Sequence, residues 1–282
     1  MERIVTITKR RDRANYTFAN INLLGKCNAK CYFCLGEDIP ELLRKHNNTK
    51  QHFMDWPNFD RFVDRCEQLN INKIYLTGQN TDSLLYKYRY ELLSYLKHLG
   101  FTVGLRTNGY LAHTNMNLLN MCENSVGLSI HSLKPEVNYQ IMQRHDIPDW
   151  DTLIPQIINP RVAIVVNRYN KDEFFDILQY LSKFKNIKYV QARRISTDTR
   201  YEMFKEDLAV YEDLYEKVQR DWRDHYTGEY YHAQQYNMFG LQVNFWRTVQ
   251  TSVNSINYFS DGTLSDNYFV VEGYKANYQR AA

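Results

Sequence analysis

At 282 residues, with 44% hydrophobic and 24% charged side chains, the chain has the composition of a globular protein with a sizeable core, not of a disordered or fibrous one. A net charge of +3, from 35 basic and 32 acidic residues interleaved along the sequence, does not demand nucleic acid as a partner. No segment approaches the ~18 apolar residues of a membrane span, and the opening stretch, with Lys9, Arg10, Arg11 and Arg13 after it, is unlike a signal peptide, so a cytoplasmic chain is expected.

From Tyr16 onward, short apolar runs alternate with segments of helical period. Strands are predicted at Phe18–Leu24, Lys73–Thr77, Thr102–Thr107, Val126–Ile130, Val162–Val166 and Tyr189–Ile195. Between them, Pro57 suits the first position of a helix carrying Phe59, Phe62, Val63 and Cys66, and Gly100 suits the position just past a helix carrying Leu92 to Leu99. Further helices fit Met116–Met121, Trp150–Ile158 and Asp172–Phe184. Repeated β-α units of this kind predict an α/β fold, a partial (β/α)6 TIM-like barrel, over residues 1–197. Past Ser196 the rhythm stops. Glu206–Tyr226 reads as one long helix and Gln242–Val271 as β structure with Asp261-Gly262 at a hairpin turn. That is a C-terminal α+β extension, residues 198–282, expected to pack on the core. No fixed-period repeat is present.

Five cysteines are an odd number, and Cys27, Cys31 and Cys34 crowd into one loop after the first strand, which is not a disulfide framework. Gaps of three and two residues can turn three thiolates toward one cuboidal cluster and leave the fourth iron without a protein ligand. A structural zinc site normally takes four protein ligands, and Cys66 and Cys122 fall on predicted helices among apolar neighbours. Two other readings stand beside this one. One is a zinc-binding scaffold or interaction protein completed by His46 or His52; the other is an RNA-binding or RNA-modifying protein acting through tyrosines and arginines, against which the weak net charge counts.

Cys-x3-Cys-x2-Cys with Phe33 just before the last cysteine resembles the cluster loop of the radical S-adenosylmethionine (SAM) superfamily. The resemblance implies a [4Fe-4S] cluster on Cys27, Cys31 and Cys34, with SAM chelating the open iron. One-electron cleavage of SAM would then give a 5′-deoxyadenosyl radical that abstracts hydrogen from a substrate. Thr77-Gly78-Gln79 is similar in position to the family's Gly-Gly-Glu segment, with Gln79 replacing the acidic residue, and Arg106-Thr107-Asn108-Gly109 resembles its Thr-Asn-Gly turn. By the same resemblance Ser129 would bond the SAM carboxylate, Asn167 would lie near its ribose or carboxylate, and Phe33 would shield the adenine. Arg193 or Arg194 would grip an anionic group through a bidentate fork. His131 either titrates in the site or is a satisfied structural histidine.

The family resemblance further implies a flavodoxin- or ferredoxin-type reductant, and a small-molecule, nucleotide-like or short peptide substrate. No cysteine follows Cys122, so a single cluster is expected, and the lead-in before Phe18 is expected to be too short for an N-terminal peptide-recognition domain. The 23 tyrosines, Tyr226, Tyr230, Tyr231 and Tyr236 among them, are read first as packing or interface residues.

Overall fold

Alternation inside the strands decides the architecture. In the computed structural model, which describes residues 16–38, 41, 47–196, 200–230, 233–247 and 254–265, six strands pair in parallel in chain order. They are β1 (Tyr16–Leu24), β2 (Lys73–Gln79), β3 (Thr102–Thr107), β4 (Val126–Ser129), β5 (Pro160–Val165) and β6 (Val190–Arg193). Every second residue enters one hydrophobic core: Ile21 and Leu23, Val103 and Leu105, Val126 and Leu128, Val162 and Ile164. The intervening positions carry Asn20, Asn22, Thr77, Gln79, Arg106, Ser129, Arg161 and Arg193. A parallel sheet packed on both faces would be apolar at these positions too. Here the inner face is polar, with Asn20 donating to Asn257 at 2.8 Å and Gln79 to Asn22 at 3.3 Å.

The outer face is covered by α1 (Phe59–Gln68), α2 (Arg89–His98), α3 (Met116–Asn120), α4 (Pro135–Met142), α5 (Trp150–Gln156) and α6 (Phe174–Leu181). Phe59, Phe62, Val63 and Cys66 lie on one face of α1 and join the core, each phenylalanine contributing roughly 1.5–3 kcal/mol by its burial. Gly100 follows α2 with φ +88, as predicted from its place after Leu99. Pro57 differs from expectation: it precedes the cap residue Asn58, whose φ is 58, and its carbonyl accepts the Tyr258 hydroxyl at 2.9 Å. Helix α4 has no counterpart among the predicted elements.

The long helix α7 (Tyr201–Asp221) begins and ends five residues before its predicted span. Its buried face, Phe204, Asp207, Tyr211, Leu214 and Val218, starts earlier than the apolar pattern suggests because Asp207 is part of it. The extension also departs from a hairpin resting on the core. β7 (Tyr226–Tyr230), β8 (Ala233–Met238) and β9 (Leu241–Trp246) form an antiparallel meander whose last strand runs parallel to β6. β10 (Asn254–Phe259) runs parallel to β1 and turns at Gly262, φ +93, into β11 (Leu264–Ser265), which is the predicted Asp261-Gly262 hairpin. The sheet order is therefore β11-β10-β1-β2-β3-β4-β5-β6-β9-β8-β7. Both edges of the six-stranded unit would otherwise present unpaired backbone groups, and the extension supplies the strands that pair with them. Among the described residues no ladder joins the two ends, so the barrel is partial. His46, Tyr231, residues 248–253 and 266–271 of the predicted β segment, and the domain boundary at 197/198 lie outside the described residues.

Candidate functional site

The cysteine loop leaves β1 and is fastened from four directions. Its backbone N–H groups at Lys30 and Tyr32 donate to the carbonyls of Met142 and Ile141 at the end of α4, at 2.9 and 3.1 Å. Thr81, past β2, donates its hydroxyl to Lys26 O at 3.1 Å, and Arg144 donates to Asn28 O at 3.0 Å. Arg200, just before α7, donates to Tyr32 O at 2.8 Å and to Cys34 O at 2.6 Å. Asp207 on α7 accepts the Tyr32 hydroxyl at 2.9 Å. The sequence offered one signal for α4, Pro135 followed by Glu136 at a helix start; for Arg200 and Asp207 it offered none.

All three thiols open onto one cavity of about 220 Å³, continuous with solvent, whose wall also includes Phe33, Thr77, Gly78, Thr107, Asn108, Ser129 and Arg193. Gly78 is there for space, since a Cβ would stand 2.1 Å from the Thr81 carbonyl oxygen. The Asn108 amide donates to Asn28 at 2.7 Å and approaches Cys27 Sγ at 3.6 Å. Ser129 makes no side-chain hydrogen bond among the described residues, which leaves its hydroxyl available to a ligand. Gln79 lines an adjoining cavity with Phe33, Cys34, Gly78, Arg193 and Arg194. Arg194 is committed to an ion pair with Glu212 at 3.2 Å.

Two expected ligand-binding residues are used by the protein itself. The Thr107 hydroxyl donates to the Asp82 carboxylate at 2.9 Å and accepts from Gly109 N at 3.1 Å. Asn167 is fully buried and is not among the residues lining either cavity; its amide donates to Val165 O at 2.8 Å and its oxygen accepts from Tyr169 N at 2.9 Å. Asp82 has a larger part than its place in the sequence suggests. Its buried carboxylate accepts from Thr107, Asn108 N and Leu84 N, tying the end of β2 to the Thr-Asn-Gly turn.

Burial pushes the Cys27 thiol up to about 12, with the Asp82 carboxylate adding to the effect, and burial also raises Cys31 and Cys34. Each is a neutral thiol at pH 7 until a metal displaces its proton. Among the described residues no three His, Cys, Asp or Glu side chains converge on a single ion position. The three thiols line one cavity, and a cuboidal cluster would take each thiolate on a different iron. Cys66 and Cys122 are buried in the hydrophobic core, and His52 stacks on Phe53, so among the described residues none of these three side chains completes a four-ligand site at the loop.

His131 lines the cavity edge-on to Phe33, with ring centroids 5.1 Å apart, and its Nδ1 accepts from Val165 N at 3.2 Å. Burial, then the Arg193 charge, pushes its pKa down to about 3. The unfolded chain protonates histidine below about 6.5, so between those limits the unfolded state binds the extra proton. Stability from this group is complete above pH 6.5 and is lost as pH falls toward 3. His131→Asn keeps an acceptor for Val165 N–H and is expected to reduce the loss of stability between pH 6.5 and 4.5 by about 2 kcal/mol, read from urea midpoints of both chains at the two pH values.

Three comparisons bear on this geometry. The family model described as the Radical SAM superfamily matches residues 21–190. A GTP 3',8-cyclase from Syntrophomonas wolfei subsp. wolfei is 27% identical over 182 residues, 60% of this chain and 53% of that protein. One from Sulfurovum sp. is 24% identical over 191 residues, 62% of this chain and 56% of that protein. The chain thus spans about half the length of the curated relatives it matches. Among solved structures, Streptococcus suis SuiB bound to its precursor peptide SuiA superposes with a TM-score of 0.65 at 15% identity, covering 91% of this chain and 61% of SuiB. SuiB bound to S-adenosylmethionine gives 0.62 at 15% identity, covering 90% and 61%. These structural likenesses show the fold, a partial barrel, and the family match spans the strands and the loop that carry the thiols: the chain belongs to the radical SAM superfamily of enzymes.

Proposed function

We propose that this chain holds one [4Fe-4S] cluster on Cys27, Cys31 and Cys34 and uses it with SAM to start radical chemistry on a substrate bound in the same cavity. The observation that carries the reading is that three thiols of one loop share a cavity with the polar C-terminal ends of β2, β3, β4 and β6, the end of a parallel barrel where ligands bind. When bound, the cluster and SAM supply reductive cleavage to methionine and a 5′-deoxyadenosyl radical that takes hydrogen from substrate. The protein's own residues hold and enclose these groups. Thr77, Gly78 and Gln79 offer neutral acceptors to an ammonium group, Ser129 offers a hydroxyl to a carboxylate, and Arg193 offers a guanidinium to an anion. Phe33 and His131 close one wall, His131 as a neutral ring. Asn108 braces the loop beside Cys27, and Thr107 keeps the turn in place through Asp82.

In this reading residues 1–197 do the chemistry and residues 198–282 brace the cysteine loop and extend the sheet. The names of the curated relatives support a small, nucleotide-like substrate over a peptide, since the likeness to SuiB bears on fold alone. A flavodoxin- or ferredoxin-type protein is the proposed reductant. No helix among the described residues is long and apolar enough to cross a membrane, and a cytoplasmic site of action belongs to the same proposal.

Anaerobic purification followed by reduction tests it. The expected result is brown protein with about four irons and four sulfides per chain that converts SAM to 5′-deoxyadenosine and methionine when reduced. Colourless protein carrying one zinc, without SAM cleavage after reconstitution, would overturn the proposal in favour of the scaffold reading.

A further inference from the structure

The cavity onto which the thiols open also holds a buried charge that no described residue neutralises. Arg161, the second residue of β5, is 3% exposed. Its guanidinium donates to Ser125 Oγ at 3.2 Å and Gln191 Oε1 at 2.8 Å, and lies 5.8 and 5.9 Å from the ring centroids of Tyr75 and Tyr189. All of these partners are neutral, and no carboxylate pairs with Arg161 among the described residues. Arginine keeps its charge in any protein environment, and a buried charge left without a counter-charge costs several kcal/mol.

The surroundings are arranged to hold a second guanidinium close by. Arg106 on β3 sits 5.5 Å from the same Tyr75 ring centroid. Gly127, paired with Arg106 on one side and Arg161 on the other, leaves the gap between them open: a Cβ there would stand 3.0 Å from Arg161 Nη2 and 3.3 Å from Arg106 Cγ. Gly104, opposite Tyr75 in the β2–β3 ladder, makes room for the ring in the same way, its Cβ falling 2.5 Å from Tyr75 Cδ1. Arg193 on β6 shares Gln191 Oε1 with Arg161, at 2.7 Å. The three arginines line the cavity that the thiols open onto, and the one carboxylate in its described lining, Asp82, is bound across the site by Thr107, Asn108 N and Leu84 N.

Arg161 lies near the start of β5, four residues and about 13 Å of strand from Val165, and its side chain still reaches the wall of the cavity onto which the thiols open.

We propose that Arg161 and Arg106 form an oxyanion subsite for the substrate, taking a phosphate or carboxylate group through their guanidinium forks, with Arg193 at its rim. The proposal rests on the radical SAM reading for calling the occupant a substrate, but its binding test does not use the cluster. Thermal unfolding of the chain is followed with pyrophosphate or succinate added, against sodium chloride at equal ionic strength, for the wild type, Arg161→Gln and the surface variant Arg220→Gln. At a hundredfold excess over its dissociation constant, the preferred probe is expected to raise the midpoint by about 5 °C in the wild type and in Arg220→Gln, and by less than about a fifth of that in Arg161→Gln. A response to pyrophosphate alone identifies a phosphate site, and to succinate alone a carboxylate site. Equal shifts in Arg161→Gln, or no shift beyond chloride with either probe in the wild type, would overturn the subsite. If Arg161→Gln does not fold, Arg106→Gln is read by the same criteria. Separately, wild-type protein that binds the probe yet makes no 5′-deoxyadenosine when cluster-loaded sinks the radical reading and leaves the anion site standing.

Discussion

Cys31→Ala is expected to fold, to lose its iron and sulfide, and to make 5′-deoxyadenosine at less than about a hundredth of the wild-type rate. Even the outer partners of metal ligands matter ten- to a hundredfold, and a ligand matters more. Two features confine the damage to chemistry. Cys31 is only partly buried and packs on Ala29, Ile141 and Met142, a small apolar cluster that alanine still fits. The hydrogen bonds on either side of it, Lys30 N to Met142 O and Tyr32 N to Ile141 O, belong to the main chain and survive any side-chain change. The apo variant is therefore expected to unfold within about 1 kcal/mol of the wild type, a small change for a substitution that opens no large cavity. Iron and sulfide assays, a urea titration and product chromatography check the three statements. Undiminished turnover, with contaminating enzymes excluded, would remove Cys31 from the ligand set.

What the sequence disclosed and what it hid divide along a physical line. The outward-facing rows were legible because apolar residues at every second position of β1, β3 and β5 have no use except burial. Gly100 and Gly262 marked turns because their positive φ suits glycine. The cysteine loop stood out because three thiols spaced by three and two residues, with Phe33 before the last, carry the family resemblance within one short segment. The features that fasten that loop were not legible, because each joins positions far apart in the chain: Arg200 reaches Cys34 O across 166 residues and Tyr32 reaches Asp207 across 175. The protein partners of two candidate site residues were hidden as well: nothing in the sequence shows that Thr107 donates to Asp82, 25 residues away, or that Asn167 bonds the main chain at Val165. Strands β9 and β10 could be read as β structure, but nothing local says that they pair with β6 and β1 and not with each other.

The largest effect on folding is expected at Asp207, which is fully buried on α7 and gathers three donors from two other parts of the chain. Its carboxylate accepts Arg168 N at 2.8 Å, the Arg168 guanidinium at 2.7 Å and the Tyr32 hydroxyl at 2.9 Å. Arg168 is held at the same time by the exposed Glu206 at 2.7 Å. Removing one partner of a buried pair costs about 3–5 kcal/mol because the other keeps its desolvation penalty. Arg168 is partly exposed and retains Glu206, so Asp207→Ala is placed at the lower end, about 3 kcal/mol. Tyr32→Phe leaves the ion pair intact and removes one hydrogen bond, for about 1 kcal/mol. The two variants separate stability from loop placement. Both release Tyr32 from α7, so both are expected to lower iron retention during gel filtration, whereas only Asp207→Ala shifts the urea midpoint strongly. If Asp207→Ala costs less than about 1 kcal/mol, the desolvation of the carboxylate already cancels its contacts. Iron held as firmly in both variants as in the wild type would mean that α4, Thr81, Arg144 and Arg200 keep the cysteine loop in position without Asp207.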